Sequence, residues 1–315
     1  MDLLCLDRKE VQELLDLDAL LEALAEGFKA MSRGEAVAPI RNQVTVPGAG
    51  YLMAMPAWQP GAAVTVKLIT VFEHNHKAGL PSHQGLICAF DPATGTPLAL
   101  MDAAYITAMR TAGCAALSVR HLSRPDARVL AIVGGGVQGA AHLKLCPRVR
   151  NFEEIRVASY FHEDAVRLAR AHPRARATAS TEEAIRGADV VCLCSSSSTP
   201  VFDVDWISKG AHISSVGYAP PGSELPRDIV ARARLVVESR RSFEPPPAGC
   251  GELAGLDPAT GTDLGDILLG RSPGRRDDDE LTLFKSMGHA IEDLVAANLV
   301  YAQARLQGRG SIARI

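Results

Sequence analysis

Three glycines, three cations and a few hydroxyls are the places where this chain has the residue types for chemistry. Gly134, Gly136 and Gly139 fall at the end of V-L-A-I-V-G-G-G-V-Q-G-A, residues 129 to 140. An apolar run that breaks into glycines at this spacing reads as a strand feeding a helix through a phosphate-sized turn. The first glycine permits the tight turn, the second lets the backbone approach a pyrophosphate, and the third lets the helix pack closely on the strand. The helix N-terminus then points its N–H groups at the anion. A Gly-rich turn in some other α/β fold is the alternative, and the flanking pattern favours the cradle: a strand over 128–133, a helix over 137–146 and a second strand over 155–159. At the end of that second strand, NAD-specific folds carry an acid that accepts from the ribose hydroxyls. Here the position is Ser159, followed by Tyr160 and His162, which suits a hydroxyl or a phosphate and predicts that NADPH is accepted at least as well as NADH. Ser195 to Ser198 follow the fourth strand of this half, where hydroxyls meet a cofactor ribose; a simple polar turn is the other reading.

The cations stand where cations are costly. Lys67 shares a strand face with Thr65, Ile69 and Val71, and burying it there requires an anion. Arg110 lies on a helix with Ile106, Gly113, Cys114 and Leu117 around it, and no acid stands at helical spacing to pair with it. Arg41 opens the first strand of the same half. Together the three suit a substrate carboxylate, Arg110 as a bidentate fork and Lys67 as a point charge with a tunable pKa. Taken singly, each reads equally well as a snorkelling surface side chain or a structural ion pair. His74, His76 and His83 lack a carboxylate at ligand spacing and read as loop residues, His83 facing a cleft, so no metal is expected.

The elements that must position these residues fall into two halves. Residues 8–34 carry a helical apolar period ending at Gly34. From 40 to 101 the period becomes two, with strands over 41–46, 51–55, 64–72, 86–90 and 98–101, a mostly antiparallel sheet. A helix over 106–121 leads into the glycine turn. Strands and helices then alternate (155–159, 164–171, 176–179, 182–188, 190–194, 212–216, 235–237), which implies a parallel sheet with helices on both faces. Residues 239–280 read as irregular, and a last helix over 290–306 is long enough to return to the first half. The expected fold is therefore α/β: a Rossmann-type NAD(P)-binding domain at 123–295, and a smaller α+β domain at 1–122 with 296–315.

A chain of 315 residues suits two cores. A net charge of -3 leaves no electrostatic footprint for nucleic acid, and the dense run Arg275 to Glu280 reads as a solvated loop. Seven scattered cysteines among apolar neighbours suit reduced thiols. No apolar run reaches the roughly 20 residues of a membrane span, and residues 1–10 carry no leader pattern, so a soluble cytoplasmic protein is expected.

Several stretches in one order resemble the ornithine cyclodeaminase and mu-crystallin family of nicotinamide-dependent enzymes: Gly-Tyr-Leu-Met-Ala-Met-Pro (50–56), Val-Lys-Leu (66–68), Leu-Pro-Ser-His-Gln (80–84), Ile-Thr-Ala-Met-Arg-Thr-Ala (106–112), the glycine turn through Gln138, Ser-Val-Gly (215–217), Pro-Gly-Ser-Glu-Leu (221–225) and Thr-Leu-Phe-Lys-Ser-Met-Gly (282–288). The resemblance implies a homodimer whose first domain binds substrate and builds the interface. It assigns substrate-carboxylate binding to Arg41, Lys67 and Arg110, cofactor contact to Val137, Gln138, Ser195, Val216, Gly217 and Ser286, and a substrate-side contact to Met287. Family cyclodeaminases carry a Glu and an Asp that handle the substrate amino groups, and the matching positions here are Met53 and Ala219. Without them the acid–base set for closing ornithine into proline is missing. Reduction of a cyclic or linear imino acid, or oxidation of the matching amino acid, needs only the clamp, an acid such as Lys67 and NAD(P). A cyclodeaminase with relocated acid and base, and a non-catalytic crystallin-like ligand binder, are the competing readings.

Overall fold

The computed structural model describes residues 2–219 and 222–315; Pro221, at the head of one family stretch, and the His76 side chain lie outside the described residues. In chain order the elements begin β1 (Asp2–Leu6), α1 (Arg8–Leu14), α2 (Leu17–Ser32), β2 (Asn42–Val46), β3 (Gly50–Ala57), β4 (Val64–Val71), β5 (His83–Phe90), β6 (Pro97–Asp102) and α3 (Ala103–Leu122). There follow β7 (Val129–Val133), α4 (Val137–Val149), β8 (Glu154–Ala158), α5 (His162–Ala169), β9 (Ala175–Ala177), α6 (Thr181–Ile185), β10 (Val190–Leu193) and β11 (His212–Ser215). The chain ends with α7 (Arg227–Arg232), β12 (Arg234–Val237), β13 (Gly261–Asp263), α8 (Leu264–Leu268), β14 (Thr282–Lys285), α9 (Ala290–Gln307) and β15 (Ser311–Arg314). It divides into two compact units, one comprising residues up to Arg110 together with His289–Ile315, the other Thr111–Gly288. The sequence reading set these changes further along, at 122/123 and 295/296.

The first unit is a seven-stranded sheet ordered β15-β1-β6-β5-β4-β3-β2. Burial alternates along β4, with Thr65, Lys67, Ile69 and Val71 all under a tenth exposed. That face meets α9, and α2 packs on α9 in turn. The approach of the two helices is close: a Cβ on Gly27 would lie 3.0 Å from Val295 Cγ1. Burying Ile69, Ile87 and Met101 on this face contributes roughly 1.5–3 kcal/mol apiece. The opposite face stays open, with Val44, Val46, Leu52 and Leu86 exposed.

The single helix expected over 8–34 is broken. Asp7 caps α1 and Asp16 caps α2, each side chain accepting a backbone N–H three residues on, with Leu15 extended between them. Each Asp supplies a helix start, which overrides the continuous apolar period. β1 and the edge strand β15 were also not expected. Each is short, and what defines them is long-range pairing: β1 runs parallel to β6 and antiparallel to β15.

The second unit is an eight-stranded sheet ordered β13-β12-β14-β11-β10-β7-β8-β9, with every pairing parallel. Alternate residues of β7 serve two cores: Ala131 and Val133 join one apolar cluster, Leu130 and Ile132 the other. A sheet covered on both faces is what the strand–helix alternation implied. Residues 239–280 carry little regular structure, the short β13 and α8 among it, and β14 adds an unexpected strand between β11 and β12. The run Arg275 to Glu280 is not simply solvated. Arg275 donates from Nε to the Leu122 carbonyl at 2.8 Å and from Nη2 to the Ala211 carbonyl at 3.3 Å, tying the run to the unit. All seven cysteines are free thiols, and no described helix is long and apolar enough to cross a membrane.

Candidate active site

Lys67 and Arg110 are both buried, and both are paired. Lys67 Nζ stands 2.7 Å from Asp293 Oδ2, and Arg110 Nε donates to Asp293 Oδ1 at 3.1 Å. Arg110 Nη1 donates to Glu292 Oε2 at 2.6 Å. The two acids occupy the first turn of α9, where carboxylates are favoured by the helix dipole. There Glu292 Oε1 also accepts from the His289 backbone N at 2.6 Å, closing a capping box. The expectation of a bare cationic pocket is therefore corrected to a formally neutral quartet of two cations and two carboxylates. The acids were missed because they lie 182 and 183 residues from Arg110, far outside helical spacing.

Burial lowers the Lys67 pKa to about 8, Arg110 pushes it the same way, and Asp293 holds it up. Cross-strand neighbours on its face are Met55, opposite Lys67, and Met53, opposite Ile69. Both are apolar, and Asp293 and Glu292 bring carboxylates to the two cations. Arg41 is half-buried one residue ahead of β2, two strands from β4 in the sheet. His83 opens β5, exposed, its Nδ1 3.0 Å from Ser82 Oγ.

In the second unit β7 runs into α4 through the glycine turn. Gly134 has φ +126°, and a Cβ there would lie 2.5 Å from the Cys194 carbonyl oxygen; a Cβ on Gly139 would overlap the Gly134 carbonyl. Gly135 is also required, since its Cβ would meet Asp164 Cβ at 2.7 Å, a constraint the three-glycine reading did not include. Gly136 differs: it caps α4 with no side-chain bond, and the space at its Cβ position is open. Val137 beside it is exposed, and Gln138 carries a buried Oε1 with no hydrogen-bond partner. Open space at Gly136, uncapped helix N–H groups and an orphaned amide oxygen fit a dinucleotide with its pyrophosphate on α4. Ser159 Oγ accepts from Gly135 N at 3.3 Å, which ties the end of β8 to the turn. Tyr160 is almost fully exposed and meets Phe161 edge-on with ring centroids 5.0 Å apart.

At the C-terminal ends of β10, β11, β14 and β12, buried acids hold the residues singled out for cofactor contact. Ser195 donates from N and Oγ to Glu224, and Gly217 N donates to the same carboxylate. Ser286 Oγ and Met287 N both donate to Glu238. Lys285 Nζ pairs with Glu252 at 2.9 Å and donates to the Gly217 carbonyl at 2.6 Å. Of these acids, only Glu224 lay in a stretch that the sequence reading had marked.

The profile of the Ornithine cyclodeaminase/mu-crystallin family matches residues 1–308. The chain belongs to this family. It is 36% identical over 304 residues to the mouse ketimine reductase mu-crystallin, covering 94% of this chain and 96% of that one. Among solved structures, the Thermococcus litoralis Δ1-pyrroline-2-carboxylate reductase in complex with NADH and L-proline superposes with a TM-score of 0.92 at 31% identity, over 98% of this chain and 99% of that one. An archaeal alanine dehydrogenase dimer with bound NAD gives 0.93 at 29% identity over the whole of both chains. Like these ornithine cyclodeaminase/mu-crystallin relatives, the protein is an NAD(P)-dependent oxidoreductase with a Rossmann-type unit.

Proposed function

We propose that the protein reduces the C=N bond of a small cyclic or linear α-imino acid, and oxidises the matching amino acid in reverse, as a cytoplasmic homodimer. The observation that carries this is the buried Lys67–Asp293–Arg110–Glu292 quartet with Met53 beside it: an acid and a carboxylate clamp are present, while Met53 stands where a cyclodeaminase has its Glu. When bound at α4, NAD(P)H supplies the hydride for the imine carbon. Lys67 supplies the proton for the imine nitrogen, and a pKa of about 8 suits an ammonium that donates near neutral pH. Arg110 binds the substrate carboxylate. Its Nε and Nη1 are held by Asp293 and Glu292, so the plane of the guanidinium is fixed before substrate arrives. Arg41 joins Lys67 and Arg110 as a further cation toward the substrate carboxylate. Val137, Gln138, Val216, Gly217 and Ser286 belong to the cofactor side, and Met287 to the substrate side.

The homodimer reading rests on the open sheet face of the first unit, where Val44, Leu52 and Leu86 lie exposed on β2, β3 and β5, and on the dimer formed by the archaeal alanine dehydrogenase relative. Cysteines that form no disulfide agree with a reducing compartment. The test is a spectrophotometric screen of NADH and NADPH oxidation with Δ1-pyrroline-2-carboxylate, Δ1-piperideine-2-carboxylate and pyruvate plus amines, alongside ornithine with NAD+. Turnover of an imine supports the reading. Proline formation from ornithine without imine reduction would replace it with the cyclodeaminase alternative.

A further inference from the structure

Glu224 is 1% exposed on the segment joining β11 to α7, and it collects four donors from the ends of two strands, β10 and β11. Oε2 accepts from Ser195 N at 2.9 Å and Ser195 Oγ at 2.7 Å; Oε1 accepts from Ser215 Oγ at 2.7 Å and Gly217 N at 2.8 Å. β10 and β11 are parallel neighbours in register Leu193↔Ser215, so the carboxylate bridges the two chain segments just where they leave the ladder. Gly217 is a glycine for this reason, since a Cβ there would lie 2.5 Å from Glu224 Oε2 and 2.5 Å from the Ser195 carbonyl oxygen. Lys285 extends the brace to β14, reaching Ser215 Oγ at 3.2 Å and the Gly217 carbonyl at 2.6 Å. The polar groups of Ser195 and Gly217 therefore serve the brace before they serve any ligand.

The position of the brace gives it a purpose. The pyrophosphate belongs on α4, which follows β7, and the adenosine ribose belongs at the end of β8. β10 and β11 lie on the opposite side of β7 from β8, across the point where the strand order reverses, so the nicotinamide half lies over their ends. We propose that Glu224 is a positioning residue for the nicotinamide half of the cofactor: by fixing the 194–197 and 216–219 loops, it sets where the ring rests without itself touching the reacting atoms. This rests on the NAD(P)-binding reading of the second unit.

The test is Glu224→Gln in the full-length protein. A carboxylate accepts all four donors, whereas a carboxamide turns its NH2 toward two of them, so the loops must part on one side. Binding is measured for NADH by fluorescence and for ADP-ribose, which lacks the nicotinamide, by calorimetry. The expected result is a loss of roughly tenfold or more for NADH, with ADP-ribose changed by less than about twofold. Unchanged NADH affinity, or an equal loss for both ligands, overturns the proposal. Should Glu224→Gln not fold, Ser215→Ala removes one donor and keeps the carboxylate. The same split is then expected at about threefold, and an even loss overturns it. A wild-type protein that bound neither ligand would overturn the cofactor reading beneath it.

Discussion

The Lys67 ammonium and the Asp293 carboxylate lie 2.7 Å apart, both almost wholly out of water. The carboxylate opposes the two influences that lower the lysine, burial and Arg110. Imine reduction needs Lys67 protonated, so kcat/KM in that direction should fall as pH rises through about 8, and amino-acid oxidation should rise through the same region. Asp293→Asn removes the stabilising anion and should move both limbs to lower pH by about one unit or more. Limbs that stay in place in pH–rate profiles of the variant would remove Lys67 from the proton step.

Arg110 supports the fold as well as the substrate. Replacing it by Met leaves Glu292 without its guanidinium partner and Asp293 with Lys67 alone, a broken buried pair that should cost about 3–5 kcal/mol in chemical denaturation. Removing Glu292 as well, in Arg110→Met/Glu292→Gln, should restore part of that stability, because the two losses share one interaction. Simple additivity in the double variant would argue that the pair is not coupled.

Two glycines one turn apart should fail in different ways. Gly139→Ala forces a methyl onto the Gly134 carbonyl and should lower the melting temperature of the protein. At Gly136 the Cβ position is open and the backbone conformation ordinary, so Gly136→Ala should fold normally and still weaken NADH by roughly tenfold or more, through contact with the pyrophosphate. Normal NADH affinity in Gly136→Ala would place the phosphate elsewhere.

How far the sequence reveals this molecule depends on whether a contact is local. The turn from β7 to α4 was legible because its glycines stand at a fixed local spacing between an apolar strand and a helix, and β2 to β6 because their period matches a half-buried sheet. The quartet was only half legible. The cost of burying Lys67 and Arg110 can be read from their neighbours, but the acids that meet it sit on α9, reached only by folding. The same holds for β1 and β15, which carry no period of their own, and for Glu238 and Glu252, which look like ordinary loop acids until the strand ends converge. At Ser195 the sequence shows a hydroxyl, and only the structure shows that Glu224 accepts its hydrogen bond.

Cofactor choice turns on Ser159, whose Oγ contacts the Gly135 amide. With no acid at this position to repel a 2′-phosphate, NADPH should bind at least as well as NADH, with a preference of no more than about tenfold. Ser159→Asp should then favour NADH by roughly tenfold or more, through repulsion of the phosphate. Titration of both reduced cofactors into each protein decides it, and a strong NADH preference in the wild type would point to an acid turning inward from Glu163 or Asp164.

The first unit is built from both ends of the chain, and this sets an order of events during synthesis. Arg110 leaves the ribosome 183 residues before Asp293. Until α9 follows, the β4 face lacks the helix that covers it, and its lysine and arginine lack their counter-charges. The second unit, Thr111–Gly288, is contiguous and can close while the first still waits. Completion of the first unit, and with it the substrate clamp, is therefore a late event: a chain stopped short of α9 would carry a complete glycine turn but exposed, uncompensated cations where the clamp should be.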